Sequence, residues 1–86
     1  MEQLLLSVGF RNTVVAKKIV AILSPKSSPM KRVKDEAKEE KRLIDVTQGR
    51  KTRAMIIMES NHVILSMYNA ETLSNKFESL MAHEEE

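Results

Sequence analysis

Gly49-Arg50-Lys51-Thr52-Arg53-Ala54-Met55-Ile56-Ile57-Met58, then Glu59-Ser60-Asn61-His62, then Val63-Ile64-Leu65-Ser66-Met67-Tyr68, is the stretch that decides how this chain folds. Two apolar runs separated by four polar, turn-forming residues read as the strands of a hairpin, over 52–58 and 63–68. The same stretch carries the strongest chemical signal, since Arg50, Lys51 and Arg53 place three cations immediately before the most apolar run in the chain. Burial of Met55, Ile56 and Ile57 would anchor the strand, so the cations start from a fixed backbone. A fixed cationic edge suits phosphate: Arg offers a planar fork for two oxygens, Lys a point charge, and Thr52 one further hydrogen bond. So short a basic run is also common as a plain solvated loop, and the rest of the chain has to decide.

Upstream of the hairpin, Leu43-Ile44-Asp45-Val46-Thr47 reads as a strand and Gln48-Gly49 as a turn, with Gly49 supplying a positive φ into Arg50. Before that, Ser28 followed by Pro29 reads as an N-cap with proline at the first helical position. Met30, Val33 and Ala37 then recur at helical spacing to about Lys41, a narrow stripe expected to pack on a sheet. Leu4 to Val8, closed by Gly9, reads as a first strand. The β-branched run from Thr13 to Leu23 reads as two short strands broken at Lys17-Lys18. Downstream, Asn69 to Thr72 can cap a last helix in which Leu73, Phe77 and Leu80 share a face, before Glu84 to Glu86 fray into solvent. The expected fold is α+β: a small, mostly antiparallel meander sheet with a central and a C-terminal helix. Residues 1–76 form the single domain, and 77–86 the helix end and an acidic tail.

An 86-residue chain with no Cys, no Trp and 3% aromatic residues has a thin core and none of the usual staples, so association between copies is the expected route to stability. Met1-Glu2-Gln3 lacks a basic n-region and Leu4-Leu5-Leu6 is too short to span or target a membrane, which points to the cytoplasm. The net charge of +2 conceals segregation: residues 1–34 hold seven basic groups against one acid. Omitting the segment from Phe77 onward leaves 14 basic against 8 acidic residues. A compact cationic body points to a polyanion.

Catalytic residues are scarce. His62 sits in the expected hairpin turn and His83 near the end, neither beside a partner that builds a metal site or a nucleophile pair. The carboxylates of Asp35, Glu36, Glu39 and Glu40 fall on a helix among Lys31, Lys34 and Lys38, which reads as a salt-laced solvent face rather than a dry acid/base pair. Asp45, alone in an apolar strand, reads as a hydrogen-bonded structural residue. Two glycines are too few for a nucleotide-cradling loop. An enzyme is the least expected class; no cofactor, metal or small-molecule substrate is implied.

The string from Leu43 to Ala54, with Met58-Glu59-Ser60-Asn61-His62-Val63-Ile64-Leu65-Ser66, resembles the RemA family of extracellular matrix regulators. Val8-Gly9-Phe10, Asn12 and the Ser24-Pro25 to Pro29-Met30-Lys31-Arg32 segment match as well, and the likeness runs ungapped from about Leu4 to Thr72. The resemblance implies a small double-stranded-DNA-binding transcriptional activator of biofilm matrix and osmoprotection genes. It also implies a ring-shaped homo-oligomer such as an octamer, associated with the nucleoid. It places Lys18 where the family carries a DNA-contacting arginine, and Arg50, Lys51 and Arg53 on its basic motif. Lys18 and Lys51 keep the charge but lose the fork, and Arg11 adds a charge where a small residue is usual.

The candidate DNA-binding set is therefore Lys17, Lys18, Arg50, Lys51, Thr52 and Arg53. A ring would repeat these weak phosphate sites and gain avidity from effective concentration, with counterion release as the driving term. Two rival classes use the same basic face: an RNA-binding protein, for which Phe10 and Tyr68 are the only candidate stacking platforms, and a module that meets an acidic protein.

Overall fold

The structure is a computed structural model that describes residues 4–85; the first three residues and the last, with the expectations that rest on them, lie outside the described residues. Along the chain come β1 (Leu5–Gly9), β2 (Asn12–Val15), a single 3₁₀ turn (Ala16–Lys18), β3 (Ile19–Leu23), α1 (Ser28–Glu39), β4 (Leu43–Asp45), β5 (Ala54–Met58), β6 (Val63–Ser66) and α2 (Ala70–Glu85). The α+β class is as expected.

The hairpin read from the sequence is β5–β6, antiparallel, with Ile57 opposite Val63, Ile56 opposite Ile64 and Met55 opposite Leu65. Met58 N–H bonds the His62 carbonyl at 3.0 Å and Asn61 N–H bonds that of Met58 at 2.9 Å. Asn61 takes the left-handed conformation that a three-residue hairpin loop requires (φ 69°), one that asparagine tolerates well. The strands are apolar without alternation because both faces are covered. Ala54, Ile56 and Ile64 meet Leu6, Val8, Ala16 and Leu73 on one side. Met55, Val63 and Leu65 meet Ala37 on the other, with Met30 and Val33 alongside. The expected stripe of α1 thus lies on the sheet.

Three features depart from the sequence reading. The sheet is not a meander: its order is β3-β5-β6-β4, and β4 runs parallel to β6. One edge of β5 is taken by β3 and the other by β6, so β4 takes the free edge of β6. Secondly, β1 and β2 form a separate two-stranded ribbon rather than joining that sheet, and the turn at Lys17-Lys18 redirects the chain from one to the other. Thirdly, several ends move. The α1 N-cap is Ser27, one residue early, and its carbonyl rather than its hydroxyl receives Met30 N–H at 3.1 Å. The helix stops at Glu39, short of Lys41, because Lys41 turns left-handed (φ 60°). Arg42 N–H then closes on the Ala37 carbonyl at 2.7 Å and Lys41 N–H on that of Lys38 at 3.2 Å, a Schellman ending. The strands β4, β5 and β6 are shorter than read, by the residues nearest the cationic loop. Helix α2, capped by Asn69 Oδ1 on Thr72 N–H at 2.7 Å, buries Leu73 and runs on through Glu84 and Glu85 instead of fraying there.

Candidate nucleic-acid interface

The segment Arg50–Arg53 enters β5 from a turn that its own neighbours build. Asp45 Oδ1 accepts both the Thr47 N–H at 2.9 Å and the Thr47 hydroxyl at 2.6 Å. Arg50 N–H then bonds the Thr47 carbonyl at 3.1 Å. Between them Gln48 (φ 52°) and Gly49 (φ 85°) are both left-handed, so Gly49 does have the positive φ read for it. At the far end Arg53 N–H bonds the Ser66 carbonyl at 2.9 Å, fixing that residue to β6 before the strand proper begins.

Asp45 therefore sets the loop. The Thr47 hydroxyl, then the Thr47 N–H, hold its carboxyl below the ordinary carboxylate range; burial opposes this and the Lys34 ammonium assists it. A carboxyl with a lowered folded-state pKa contributes stability that is present above the unfolded value and is lost as pH falls through the folded one. Asp45→Ala should thus cost about 1 kcal/mol at neutral pH, a size typical of an exposed side-chain-to-backbone cap. The deficit relative to the parent should shrink below about pH 4. Urea midpoints of both chains at pH 7 and pH 3 check this; a deficit that stays constant with pH would assign the cost to something other than the carboxylate.

Two shallow clefts flank the loop. One of about 350 Å³ is lined by Arg50, Lys51, Arg53 and Met67. The other, about 550 Å³, brings Lys26 and Asn69 beside Lys51, Thr52 and Arg53, with Glu71 as its one acid. Lys26 was not among the residues picked from the sequence. It arrives because Leu23, at the end of β3, pairs with Met55, at the start of β5. In the sequence Phe10 belongs to the family-matching Val8-Gly9-Phe10 string and is a candidate stacking platform for RNA. Its ring centroid lies 5.9 Å from the Arg50 guanidinium carbon, and the residue is 37% exposed. Arg42 is engaged elsewhere, with Glu40 and the Asn61 carbonyl.

Lys17 and Lys18 are not at this cluster. Ile19 pairs with Met58 and the Lys18 carbonyl receives Glu59 N–H at 2.8 Å, so both lysines stand at the opposite end of β5. From Arg53 to Met58 at about 3.3 Å per residue, that is roughly 16 Å within one protomer. Lys18 instead lines a cleft with Ile44, Met58 and His62. His62 Nδ1 lies 2.7 Å from the Ser60 hydroxyl inside the hairpin loop, as a turn residue should. Among the described residues no three of His, Cys, Asp and Glu gather as metal ligands, and no helix is long and apolar enough to cross a membrane.

A family model described as RemA-like, extracellular matrix regulatory protein A-like, matches residues 5–77. The chain belongs to that family. A protein of Desulfosudis oleivorans is 57% identical over 76 residues, covering 88% of this chain and 78% of its own. One from Desulfatibacillum aliphaticivorans is 52% identical over 82 residues, covering 95% and 92%. A third, from Pseudothermotoga lettingae, is 49% identical over 82 residues, covering 95% and 90%. The names of all three call them regulatory proteins. The family match spans both cationic ends and the Phe10 tip, and stops before the acidic end of α2.

Proposed function

We propose that this chain is a regulatory, non-enzymatic protein that binds double-stranded DNA in the bacterial cytoplasm through Arg50, Lys51, Thr52 and Arg53, with Lys17 and Lys18 as a second cationic contact at the other end of β5. The observation that carries the reading is the pinned loop: three exposed cations lie between the Asp45–Thr47 turn and the Arg53–Ser66 bond. Cations on a preset backbone lose less freedom on meeting phosphates than cations on a free tail.

Two further points support a homo-oligomeric ring. Val20 on β3 is 65% exposed and Ile44 on β4 is 43% exposed, and these are the two outer strands of the sheet. A contact between opposite edges is head-to-tail, and such contacts close into a ring when the rotation between copies divides a full turn. Repetition of this kind multiplies both cationic ends around the assembly, so that each copy adds its Lys17–Lys18 end and its Arg50–Arg53 end. Activation of extracellular matrix genes is the corresponding biological role, in line with the family description.

Titration of a labelled duplex at several salt concentrations, with the mass of the native assembly measured alongside, tests the reading. Binding should weaken linearly in log salt, as counterion release demands. Affinity indifferent to salt would favour a protein partner instead. The lysines supply a sharper comparison. Lys18→Glu should reduce affinity several-fold more than Lys38→Glu, because Lys38 lies on α1 next to Glu39 and near Asp35, where fields partly cancel. Lys18→Arg should match or exceed the parent. Equal losses for the two reversals, in assemblies of equal mass, would mean that net charge alone matters.

A further inference from the structure

Among the described residues, the tip of the β1–β2 ribbon is the one place where two non-glycine residues in succession have positive φ. Phe10 (φ 49°) and Arg11 (φ 66°) are consecutive and both left-handed, the geometry of a two-residue hairpin turn that ordinarily selects Asn and Gly. Non-glycine side chains at positive φ carry a conformational cost, and such strain concentrates where a side chain is needed for function. The turn is held by Asn12 Nδ2–H donating to the Gly9 carbonyl at 3.1 Å.

The ribbon is also fastened to the cationic loop. The buried Ser66 hydroxyl donates to the Val8 carbonyl at 2.9 Å. Gly9 lies so near Met67 that an added Cβ would meet its Cγ at 3.4 Å, and Met67 lines the cleft of Arg50, Lys51 and Arg53. Phe10 then reaches the Arg50 guanidinium. A cation–π contact at 5.9 Å holds the guanidinium near the ring without taking up any of its N–H donors.

We propose that the Phe10–Arg11 tip is a second DNA-contacting element, in which exposed Arg11 engages a backbone phosphate and Phe10 packs on the neighbouring sugar while keeping the Arg50 guanidinium beside it. This rests on the duplex-binding reading above. Duplex is favoured over a single-stranded partner because one partly exposed ring, occupied by a cation, is a poor platform for stacking successive bases. The tip and the loop together offer Arg11, Arg50, Lys51 and Arg53 from one rigid corner of each subunit.

The strain supplies a test with opposite signs. Arg11→Gly removes both the charge and the unfavourable backbone, so its thermal midpoint should equal or exceed the parent's while its duplex affinity drops about tenfold near physiological salt. The log–log salt slope should fall by about one for each engaged subunit contact. Arg11→Asn, which also tolerates the left-handed backbone, should behave likewise. Phe10→Leu keeps every charge and should lower affinity several-fold with little change in slope. Arg53→Ala serves as the reference for the loop. Parent affinity and slope in Arg11→Gly, with both reduced in Arg53→Ala, would overturn the tip proposal and leave the duplex reading standing. Failure of the parent itself to bind duplex would remove the reading beneath it. A larger loss for Phe10→Leu on single-stranded RNA than on duplex would also overturn the proposal.

Discussion

Replacing Arg50 and Arg53 together by alanine should lower duplex affinity at about 0.15 M salt by on the order of a hundredfold, with the chain still folded and its native mass unchanged. A hydrogen bond to a charged group contributes about 1.5–3 kcal/mol, and about 1.4 kcal/mol corresponds to a factor of ten, so two such contacts give at least this loss. In a multivalent assembly the same change recurs in every engaged subunit, and the effect grows accordingly. Lys51→Ala should lose less, since a point charge is more easily replaced by a neighbour or a counterion than a fork. Stability should hardly move, because all three side chains are exposed and the loop is fastened by backbone groups and by Asp45, which the variants leave intact. The check is an anisotropy titration across a salt series, with folding followed by circular dichroism. Parent affinity and slope in the double variant and in Lys51→Ala would take this loop out of the interface.

That loop was legible in the sequence because its signals are local. A glycine before a basic run before an apolar run says turn, cations, strand in order, and Gly49 (φ 85°) and the β5–β6 register agree. The stripe Met30, Val33, Ala37 was equally readable, because helical period alone puts those residues on one face. What escaped is non-local. Leu43 to Asp45 pair in parallel with β6, and nothing within three strand residues announces the partner; the outcome depends on β3 already occupying the free edge of β5. The same antiparallel register of β3 and β5 sends Lys18 to one end of the sheet and brings Lys26 to the other, so a one-dimensional list of cations could not separate them. The ribbon turn escaped for a different reason. Its tip carries Phe-Arg where a sequence reader looks for Asn-Gly, and only the backbone shows that both residues are left-handed.

Ser66→Ala should be among the most destabilising single-atom deletions in the chain, at about 2–4 kcal/mol. The residue is fully buried, at 0% exposure, and its one hydroxyl serves two backbone groups: it donates to the Val8 carbonyl at 2.9 Å and accepts Tyr68 N–H at 3.1 Å. Deleting the oxygen leaves a buried acceptor and a partly buried donor without that partner, and each such group costs about 1–3 kcal/mol. A small domain has only about 5–15 kcal/mol in total, so the loss is a large share. It should also be uneven. Val8 belongs to β1, so the ribbon loses its polar attachment to β6, while β3, β5 and α1 keep their contacts. Amide hydrogen exchange at residues 5–15 should therefore quicken more than in β5, the mark of a local opening rather than global loosening. Duplex affinity should fall as well, since Phe10 meets Arg50 only while the ribbon is docked. Ser79→Ala, on the exposed side of α2, is the control and should change stability by less than about 0.5 kcal/mol. Denaturant midpoints at one fixed protein concentration separate the cases, because apparent stability would depend on concentration in any assembly. A Ser66→Ala chain within about 0.5 kcal/mol of the parent, with unaltered exchange in the ribbon, would mean that apolar packing of Leu6 and Val8 holds the ribbon on the sheet and that the hydroxyl is incidental.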